Sequence, residues 1–484
     1  MRRRDLLLAG APAVLRASTR RPNIVWLMTD EQRPDSLACY GSPWAYSPAI
    51  DALAAEGALF ESAYVPSPVC VPCRSALLTA QAASTTGVLH NQARLRRDAT
   101  FLTWRFEEAG YQTASFGKKH YFGGSGRPAF QTEDGKATEG IVDPEHYRAP
   151  FGEEGHDLVK YNARPEQKLR RNWILAGRFP AHEDESAEVR NLKLATSWLA
   201  ARDSAKPFLL RLSLNAPHTP VVAPARYLPL IDPDRIRISE PTARQLAGQP
   251  ARVRVLLRSF EGSDVLTAAE LHKARHYYYA RCAFADAVFA RLLDYLRSRG
   301  LLDNTVVVMM SDHGTHLGDQ GLLQKQTFYE QVATVPYVFW SKEYLHPGSR
   351  FRTPVNVNSL LPTLLDLAGL SADGAQEASL APSLRNGKEP PRKPVISEIA
   401  FGYQGWRDHD RQVMIRDGDF KMSLFANSNE PDGALYDLRR DPEERDNLFT
   451  QSAHQRTVRR LTRRIAEWEA HRARSAVRKP VTSR

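Results

Sequence analysis

The stretch NIVWLMTDE, residues 23–31, decides how this chain folds. Its first six residues form a short apolar run, which is typical of a strand buried on both faces of a parallel sheet. Two acidic residues, Asp30 and Glu31, follow this run directly. A second apolar run, TVVVMM at 305–310, is followed in the same way by Ser-Asp-His-Gly at 311–314. Polar residues capable of chemistry therefore follow both of these predicted strands.

Helical patterns separate the predicted strands. Apolar periodicity predicts helices at 186–202 and 268–299, and a further strand at 207–214 ends shortly before His218. Strands that alternate with helices predict an α/β fold, with a doubly wound, mostly parallel sheet and helices on both faces. Ligands bind beyond the carboxyl ends of the strands in such sheets, so we expect the residues that follow these strands to share one site.

Composition divides the chain into segments with different expected roles. A Gly/Pro-rich stretch is typical of a linker, and short apolar runs beyond it predict a smaller C-terminal α+β subdomain with a short antiparallel sheet and a closing helix. A polar insertion at 122–185 is a candidate substrate rim. The expected segments are an export signal at 1–20, a catalytic domain at 21–370, the linker at 371–392, the subdomain at 393–471 and a basic disordered tail at 472–484.

The formal net charge of +11 is confined to the two ends of the chain. Residues 1–20 carry five arginines against one aspartate, and residues 452–484 carry ten Arg and Lys residues against two glutamates. The body between them is close to neutral. Because nucleic-acid binding normally requires a basic face on the domain itself, this distribution argues against a nucleic-acid partner.

The N-terminal sequence MRRRDLLLAGAPAVLRAS joins an arginine cluster to an apolar stretch. This pattern is typical of a twin-arginine export signal, so we expect a periplasmic or extracellular protein, with a cytoplasmic one as the alternative. No apolar run reaches the roughly 18 residues of a membrane span. Four cysteines in 484 residues do not form a disulfide framework.

The pentapeptide CVPCR, residues 70–74, places a thiol near the start of a predicted helix that opens just after Pro72. Backbone N–H groups and the helix dipole at that position favour an anion, and Arg74 adds a positive charge. The same residues contain a C-x-x-C pair, Cys70 and Cys73, which is also compatible with a redox or metal-binding module.

Cations and acids in other segments add to this picture. Lys118, Lys119 and His120 follow another predicted strand, and Lys325 follows the second acidic pair closely. Such a cationic cluster around a nucleophile suits transfer or hydrolysis at a sulfuryl or phosphoryl centre. The acidic residues at strand ends can supply oxygen ligands to a hard divalent cation such as Ca²⁺.

Five spaced motifs resemble those of type I sulfatases of the alkaline phosphatase superfamily, in particular the branch that contains iduronate-2-sulfatase and choline-sulfatase. They occur in the same order as in that family, and the similarity as a whole runs from about residue 22 to 470. The motifs are TDEQRPDSLACYG at 29–41, CVPCRSALLTA at 70–80, GYQTASFGKKH at 110–120, SDHGTHLGDQGLLQK at 311–325 and ALYDLRRDPEERDNL at 434–448. The resemblance implies an alkaline-phosphatase-like fold and a sulfuric ester hydrolase.

The resemblance also implies roles for individual residues. A formylglycine-generating enzyme would oxidise Cys70 to formylglycine, whose hydrate attacks the sulfur atom and later expels sulfate. The remaining implied catalytic residues are Arg74 and Lys118, which hold the hydrate, His120, the base for expulsion, and His218 and Lys325, which bind the sulfate and assist the leaving oxygen. The implied ligands of one Ca²⁺ ion are Asp30, Glu31, Asp312, His313 and the modified Cys70.

Three positions depart from the family pattern, and several questions stay open. Position 31 is Glu instead of the usual Asp, position 73 is Cys instead of Ser, and position 80 is Ala instead of Gly. The expected substrate is a sulfated small molecule or carbohydrate. Alternatives are a phosphonate monoester or phosphodiester hydrolase of the same superfamily, the C-x-x-C module, and a catalytically silent sulfate-binding protein. The sequence does not give the substrate's regiochemistry or the oligomeric state.

Overall fold

The structure is a computed structural model that describes residues 20–134, 159–160, 174–179, 182–258, 262–400, 411–425 and 432–477. The predicted export signal and most of the polar insertion at 122–185 lie outside these residues. Among the helices that are described, none is both long and apolar enough to cross a membrane.

The described residues form seventeen strands and twelve α-helices. The strands are β1 (Asn23–Asp30), β2 (Ala58–Phe60), β3 (Ala63–Tyr64), β4 (Gln112–Gly117), β5 (Thr132–Asp134), β6 (Val159–Lys160), β7 (Ile174–Phe179), β8 (Phe208–Pro217), β9 (Val221–Pro224), β10 (Thr305–Ser311), β11 (Tyr337–Trp340), β12 (Ser349–Phe351), β13 (Val355–Asn356), β14 (Val395–Ala400), β15 (Arg411–Asp417), β16 (Phe420–Phe425) and β17 (Gly433–Asp437). The helices are α1 (Pro48–Glu56), α2 (Cys70–Thr79), α3 (Ala83–Thr86), α4 (Trp104–Glu108), α5 (Ala187–Ala201), α6 (Ala243–Gly248), α7 (Ala251–Leu257), α8 (Ala268–Ser298), α9 (Glu330–Ala333), α10 (Leu360–Leu367), α11 (Ala381–Asn386) and α12 (Gln455–Val477).

The largest sheet has eight strands in the order β12-β2-β11-β10-β1-β8-β4-β5. Strand β11 runs antiparallel to both of its neighbours, and every other pairing in this sheet is parallel. The predicted mostly parallel α/β sheet is therefore confirmed. In its centre, Asp30 at the end of β1 lies level with Pro217 at the end of β8.

The sheet is buried on both faces, because residues along each central strand alternate between two hydrophobic clusters. On β1, Val25 and Leu27 belong to one cluster, whereas Ile24, Trp26 and Met28 belong to the other. Helices α1, α5 and α8 cover the first face, and α2 and α10 cover the second. This period of two is what the strand geometry requires, and burial on both sides explains the continuous apolar run.

The long helix α8 connects the first face to the loop that follows β1. It begins with a capping box between Thr267 and Glu270, which satisfies N–H groups at the helix start. Midway along the helix, the Tyr278 hydroxyl donates to the Glu31 carbonyl oxygen at 2.7 Å and accepts from the Arg33 N–H at 2.9 Å. The helix thus holds the backbone of the acidic loop in place.

The C-terminal subdomain contains the predicted antiparallel sheet, with strands in the order β14-β15-β16-β17. Helix α12 packs on it through Leu461 and Ile465. It continues to Val477, six residues beyond the predicted end at residue 471. The predicted linker at 371–392 contains helix α11, and Leu384 of this helix is buried in the cluster on the second face of the large sheet. That part of the segment is packed against the catalytic domain, whereas composition alone predicts a linker.

Two local predictions differ from the structure. Helix α2 begins at Cys70 and not after Pro72. Pro72 fits there because the first turn of a helix does not need its N–H groups for internal hydrogen bonds. The stretch ALFESAY at 58–64 predicts one strand, but the structure divides it between β2 in the large sheet and β3, which pairs with β13 in a separate sheet.

A glycine at the end of β4 permits the turn that directs the next residue into the sheet centre. Gly117 has φ +98, and a Cβ atom there would collide with the Ser213 carbonyl oxygen. That oxygen accepts the N–H of Lys118 at 2.8 Å. The close approach of β4 to β8 at this point therefore requires glycine.

We expect Gly117→Ala to destabilise the protein more than Gly110→Ala. Gly110 has a similar φ of +88, but a Cβ atom there would meet no atom within 4 Å, so its substitution costs only the left-handed strain of about 1–2 kcal/mol. Gly117→Ala adds a backbone collision to the same strain. Denaturant unfolding of the two variants measures the difference. Equal free energies of unfolding would show that the β4–β8 contact does not constrain this position.

Candidate active site

Four neighbouring strands of the large sheet end at one place and deliver four polar side chains there. Asp30 is the last residue of β1, and Asp312, His218 and Lys118 directly follow β10, β8 and β4. Because these strands are parallel, their carboxyl ends lie along the same edge of the sheet. The sequence analysis expects the residues that follow the predicted strands to share one site, and the structure brings these residues together.

Cys70 lies at the centre of this group as the first residue of α2, and it is fully buried. Its Sγ lies 3.0 Å from His313 Nε2, 3.4 Å from Lys325 Nζ and 3.9 Å from Asp30 Oδ1. The next N–H of the helix, that of Val71, donates to the Asn91 side-chain oxygen at 3.0 Å. A group at position 70 is thus at a helix N-terminus that favours negative charge.

Arg74, one turn further along α2, links the two aspartates. Its Nε donates to Asp312 Oδ2 at 2.7 Å, and its Nη2 donates to Asp30 Oδ2 at 2.9 Å. Its Nη1 donates to the Lys118 carbonyl and the Ser213 hydroxyl. Burial alone would lower the pKa of Arg74, but Asp312 and Asp30 raise it well above its usual value. The guanidinium is a permanent, rigidly held cation.

Two lysines complete the positive charge of the site. Lys118 Nζ lies 2.6 Å from Asp30 Oδ2, and Lys325 Nζ lies 3.1 Å from Glu31 Oε2. Burial opposes protonation of Lys325, but Cys70 and then Glu31 raise its pKa well above the usual value. Both ammonium groups therefore have fixed anionic partners. By contrast, Lys119 points away and pairs with Glu133 at 3.1 Å, so it is not part of the site.

The two candidate histidines have lowered pKa values. Burial, followed by the charge of Lys118, lowers the pKa of His120, and burial, followed by Lys325, lowers the pKa of His218. His218 Nδ1 donates to the Thr219 carbonyl oxygen, which leaves Nε2 to accept from Lys325 Nζ at 2.8 Å. Within the described residues, neither ring nitrogen of His120 has a hydrogen-bond partner. The lowered pKa values favour the neutral form of both rings, and His120 is available as a proton acceptor.

Four potential metal ligands, one of them Cys70, lie together at the start of α2. Asp30, Cys70, Asp312 and His313 each offer one atom, and these atoms all lie within 4.8 Å of one another. His313 Nδ1 donates to the Gly314 carbonyl at 2.8 Å, which directs Nε2 into the group. Two carboxylates and an imidazole are suitable ligands for a divalent cation.

Glu31 lies at the edge of this ligand group. Its Oε2 faces Lys325 and lies 3.4 Å from His218 Nε2, and it forms a second ligand group with Asp30 and His218. Its other oxygen, Oε1, is buried without a hydrogen-bond partner in the described part of the chain. A buried carboxylate oxygen left unpaired is costly, and a nearby cation would satisfy it. The residues present therefore fit a divalent metal ion.

The second cysteine of the C-x-x-C pair is separated from this chemistry. Cys73 is fully buried in the hydrophobic cluster on the second face of the sheet, and it forms no disulfide. Burial, followed by the charge of Asp312, raises the pKa of its thiol well above the usual value. A protonated, packed thiol fits a structural role, so the structure gives no support to the redox interpretation.

Three supporting residues were missed by the sequence analysis. Ser213 binds Arg74, Asn91 caps the start of α2, and Tyr278 holds the Glu31 backbone. Tyr278 is one of three consecutive tyrosines on the long helix α8 and Ser213 lies within a buried strand, so neither stands out from its surroundings. For Ser213, the one available signal was a hydroxyl in a largely apolar strand that leads to His218.

Comparisons with known proteins agree with this geometry. The Sulfatase family matches residues 22–370, and the family described as N-sulphoglucosamine sulphohydrolase, C-terminal, matches residues 318–471. A choline-sulfatase of Rhizobium meliloti is 30% identical over 89% of this chain and 83% of its own length. An N-acetylglucosamine-6-O-sulfatase of Bacteroides thetaiotaomicron is 25% identical over 96% of this chain and 88% of its own.

The fold also has a close counterpart among solved structures. A phosphonate monoester hydrolase of Agrobacterium radiobacter superimposes with a TM-score of 0.79 and 21% identity, over 93% of this chain and 96% of its own. At that identity the likeness concerns the fold alone, whereas the family match covers most of the chain. The chain belongs to the sulfatase family, within the alkaline phosphatase superfamily, and is a sulfuric ester hydrolase.

Proposed function

We propose that this sulfatase hydrolyses a sulfate ester of a carbohydrate through a formylglycine made from Cys70, with one divalent cation beside it. The observation that carries the proposal is the position of Cys70. It begins a helix, its Sγ lies 3.4 Å from Lys325 Nζ, and it shares the ligand group of a cation with Asp30, to which Arg74 and Lys118 are bound. A formylglycine-generating enzyme acts on this residue during maturation.

The hydrated aldehyde of formylglycine supplies an oxygen nucleophile where a thiol stands in the unmodified chain. The protein's own residues then have separate tasks. Arg74 and Lys118 hold negative charge at fixed positions, since both are buried and anchored to Asp30. His120, neutral and without a partner among the described residues, accepts the proton whose loss expels sulfate. Such preorganised charges stabilise a transition state without reorganisation.

The leaving-group side of the site belongs to His218 and Lys325. Lys325 donates to His218 Nε2 at 2.8 Å, so both side chains point at the same region beside Cys70. An ammonium group there binds a sulfate oxygen and donates a hydrogen bond to the alcohol oxygen as its bond to sulfur breaks. His218 orients this ammonium.

We propose Ca²⁺ as the cation, on the basis of the family resemblance and the carboxylates of Asp30 and Asp312. The ligand set also includes His313, which is a nitrogen donor. Ca²⁺ takes oxygen ligands, whereas Mn²⁺, a first-row transition ion, accepts a nitrogen ligand more readily. A test of the metal site should therefore compare Ca²⁺ and Mn²⁺ in separate, parallel measurements.

The substrate class and the cellular location are also parts of the proposal. A relative whose name is N-acetylglucosamine-6-O-sulfatase supports a carbohydrate sulfate. The twin-arginine-like start of the sequence supports export. Cell fractionation of the native host checks the location, because recovery of the protein in the cytoplasmic fraction alone contradicts export.

Cys70→Ala should lower sulfatase activity by at least about 10³-fold, because it removes the nucleophile. Cys73→Ser should retain most activity, because Cys73 is a packing residue. Mass spectrometry of the wild-type peptide should show a residue 70 about 18 Da lighter than cysteine. An unmodified thiol in active protein from the native host would contradict the mechanism.

An aryl sulfate should be turned over faster than a phosphonate monoester or phosphodiester with the same aryl leaving group. Both kcat/KM values are measured on one enzyme preparation. The fraction of Cys70 converted to formylglycine is then the same for both substrates and cancels from their ratio. A strong preference for the phosphorus substrate would favour the phosphonate monoester or phosphodiester hydrolase alternative instead.

Addition of Ca²⁺ or Mn²⁺ to chelated protein should raise the midpoint of thermal unfolding, because a cation that binds only the folded state stabilises it. The gain is about 2.7 kcal/mol at 100 times the Kd. Asp312→Asn should abolish most of this gain. Asp286→Asn is the matched control, since Asp286 is another buried carboxylate but accepts from backbone N–H groups of α1. An unchanged response in Asp312→Asn would exclude this metal site.

The acid limb of the kcat/KM profile should lie below pH 6.5. Burial and Lys118 lower the pKa of His120, so the neutral ring that accepts a proton persists below the usual histidine pKa and is lost only when the pH falls through the lowered value. In Lys118→Met, the acid limb of the residual activity should move to higher pH, because the charge that lowers the His120 pKa is removed. An acid limb above pH 6.5 in the wild type would exclude His120 as the base.

A further inference from the structure

A buried lysine and two glutamates join the C-terminal sheet to the catalytic domain outside the active site. Lys421 on β16 places Nζ 2.6 Å from Glu330 Oε1, 2.6 Å from Glu444 Oε1 and 2.7 Å from the Phe328 carbonyl oxygen. Lys421 and Glu444 are each only 2% exposed. The Glu330 N–H donates to Glu444 Oε2 at 2.7 Å, and Tyr64 on β3 donates its hydroxyl to the Glu330 carboxylate. We call Lys421, Glu330 and Glu444 the interdomain triad.

The interdomain triad holds the segment that directly follows Lys325. Between Lys325 and Phe328, the Gln326 N–H approaches the Pro68 carbonyl oxygen at 3.4 Å, two residues before Cys70. The Thr327 hydroxyl lies 2.8 Å from His316 Nε2. Lys325 is three residues before the carbonyl that Lys421 holds, so displacement of one end of the segment moves the other.

The same segment also supports the metal-ligand loop. After Glu330, the Val332 carbonyl accepts the Gly314 N–H at 2.9 Å, and the Gln331 carbonyl accepts the Thr315 N–H at 3.0 Å. A Cβ at Gly314 would collide with the Gln331 carbonyl oxygen, so the two stretches of chain lie in close contact. The contacts of the interdomain triad with residues 328–330 therefore affect both Lys325 and the backbone next to His313.

The motif ALYDLRRDPEERDNL at 434–448 contributes Glu444 to the interdomain triad. None of the proposed catalytic residues accounts for this motif. Besides Glu444, its Tyr436 hydroxyl donates to the Tyr329 hydroxyl at 3.3 Å. Its Glu443 carbonyl accepts from the Gln320 side chain at 2.7 Å. Glu444 has φ +56, a left-handed conformation that is strained for a non-glycine residue and persists where the surroundings enforce it.

Stability alone does not account for a largely buried polar triad. Burial raises the pKa of Glu444 to about 7, which shows that desolvation opposes its charge. Desolvation offsets most of the attraction between buried charged groups, and apolar residues of similar volume often replace such groups without loss of stability. An apolar cluster would not fix the geometry of the segment after Lys325. The triad does, because Lys421 donates a hydrogen bond to the Phe328 carbonyl oxygen. We propose that Lys421 is a positioning residue that, through this carbonyl, fixes the Lys325 ammonium group beside the leaving oxygen.

The inference rests on the proposed role of Lys325, and it is tested with Lys421→Met. Loss of the triad's cation should displace Lys325 and remove assistance to the leaving oxygen. An alcohol of high pKa needs this assistance most, so kcat/KM should fall by about ten- to a hundredfold for phenyl sulfate and much less for 4-nitrophenyl sulfate. A loss of folded protein alone lowers both values by the same factor and leaves their ratio unchanged.

Arg411→Met is the matched control. Arg411, on β15 in the same subdomain, is mostly buried and pairs with the buried Glu398 at 3.1 Å. Glu398 in turn accepts from Ser84 of α3, so this pair joins the same two domains at a place remote in sequence from Lys325. We expect Arg411→Met to leave the ratio between the two substrates unchanged, even if it lowers thermal stability as much as Lys421→Met.

Hydrogen exchange supplies a measurement that does not depend on activity. Amides at 325–332 should exchange faster in Lys421→Met than in Arg411→Met, measured on the full chain with Cys70 unmodified. If Lys421→Met does not fold, the milder Glu444→Gln takes its place, with the same direction expected in both measurements. An unchanged substrate ratio in active enzyme, or unchanged exchange at 325–332, overturns the positioning role. Wild-type protein that is inactive on carbohydrate sulfates as well as on both aryl sulfates instead refutes the proposed function, and exchange then still decides about Lys421.

Discussion

The forked contact of Arg74 with Asp30 and Asp312 is the interaction on which the rest of the site depends. It joins helix α2 to the ends of β1 and β10, with all three side chains fully buried. Any one of these charges would be prohibitively unstable without the others, because buried charges need partners. The fork therefore sets the angle at which α2 meets the sheet, and with it the position of Cys70 at the start of that helix.

This constraint also explains why the anions and cations of the site interleave. Arg74, Lys118 and Lys325 face Asp30, Asp312 and Glu31, so the protein's own charges nearly cancel before a metal ion or substrate arrives. Addition of a divalent cation then leaves a net positive site. A sulfate monoester, with a single negative charge, is thus attracted mainly by the metal ion and the helix N-terminus, and less by any one lysine.

Much of the fold and of the inner site could be predicted from the sequence, because their signals are local. Apolar runs that end in Asp30 or Asp312 define both the strands and the edge of the sheet where ligands bind. The sequence predicts the start of α2 just after Pro72, which is too late, because the helix begins at Cys70. Proline suggests a boundary, but the first turn of a helix tolerates it. Lys421 and Tyr278 could not be found, since their roles depend on contacts across 91 and 247 residues of chain. Such contacts leave no pattern in neighbouring residues.

The two halves of the site are therefore held by different kinds of structure. Asp30, Arg74 and Lys118 lie on or next to central strands and α2, where packing on both faces of the sheet restricts any movement. Lys325 lies on a loop that reaches the C-terminal subdomain, and its position depends on polar contacts at the junction between domains. In the proposed mechanism, the residues that hold the sulfate group, which is common to every substrate of the family, are thus built mainly into the core of the sheet. The ammonium group proposed to assist the leaving alcohol, which differs between substrates, lies on a separately held loop whose geometry can change without disturbing Arg74 and its two aspartates.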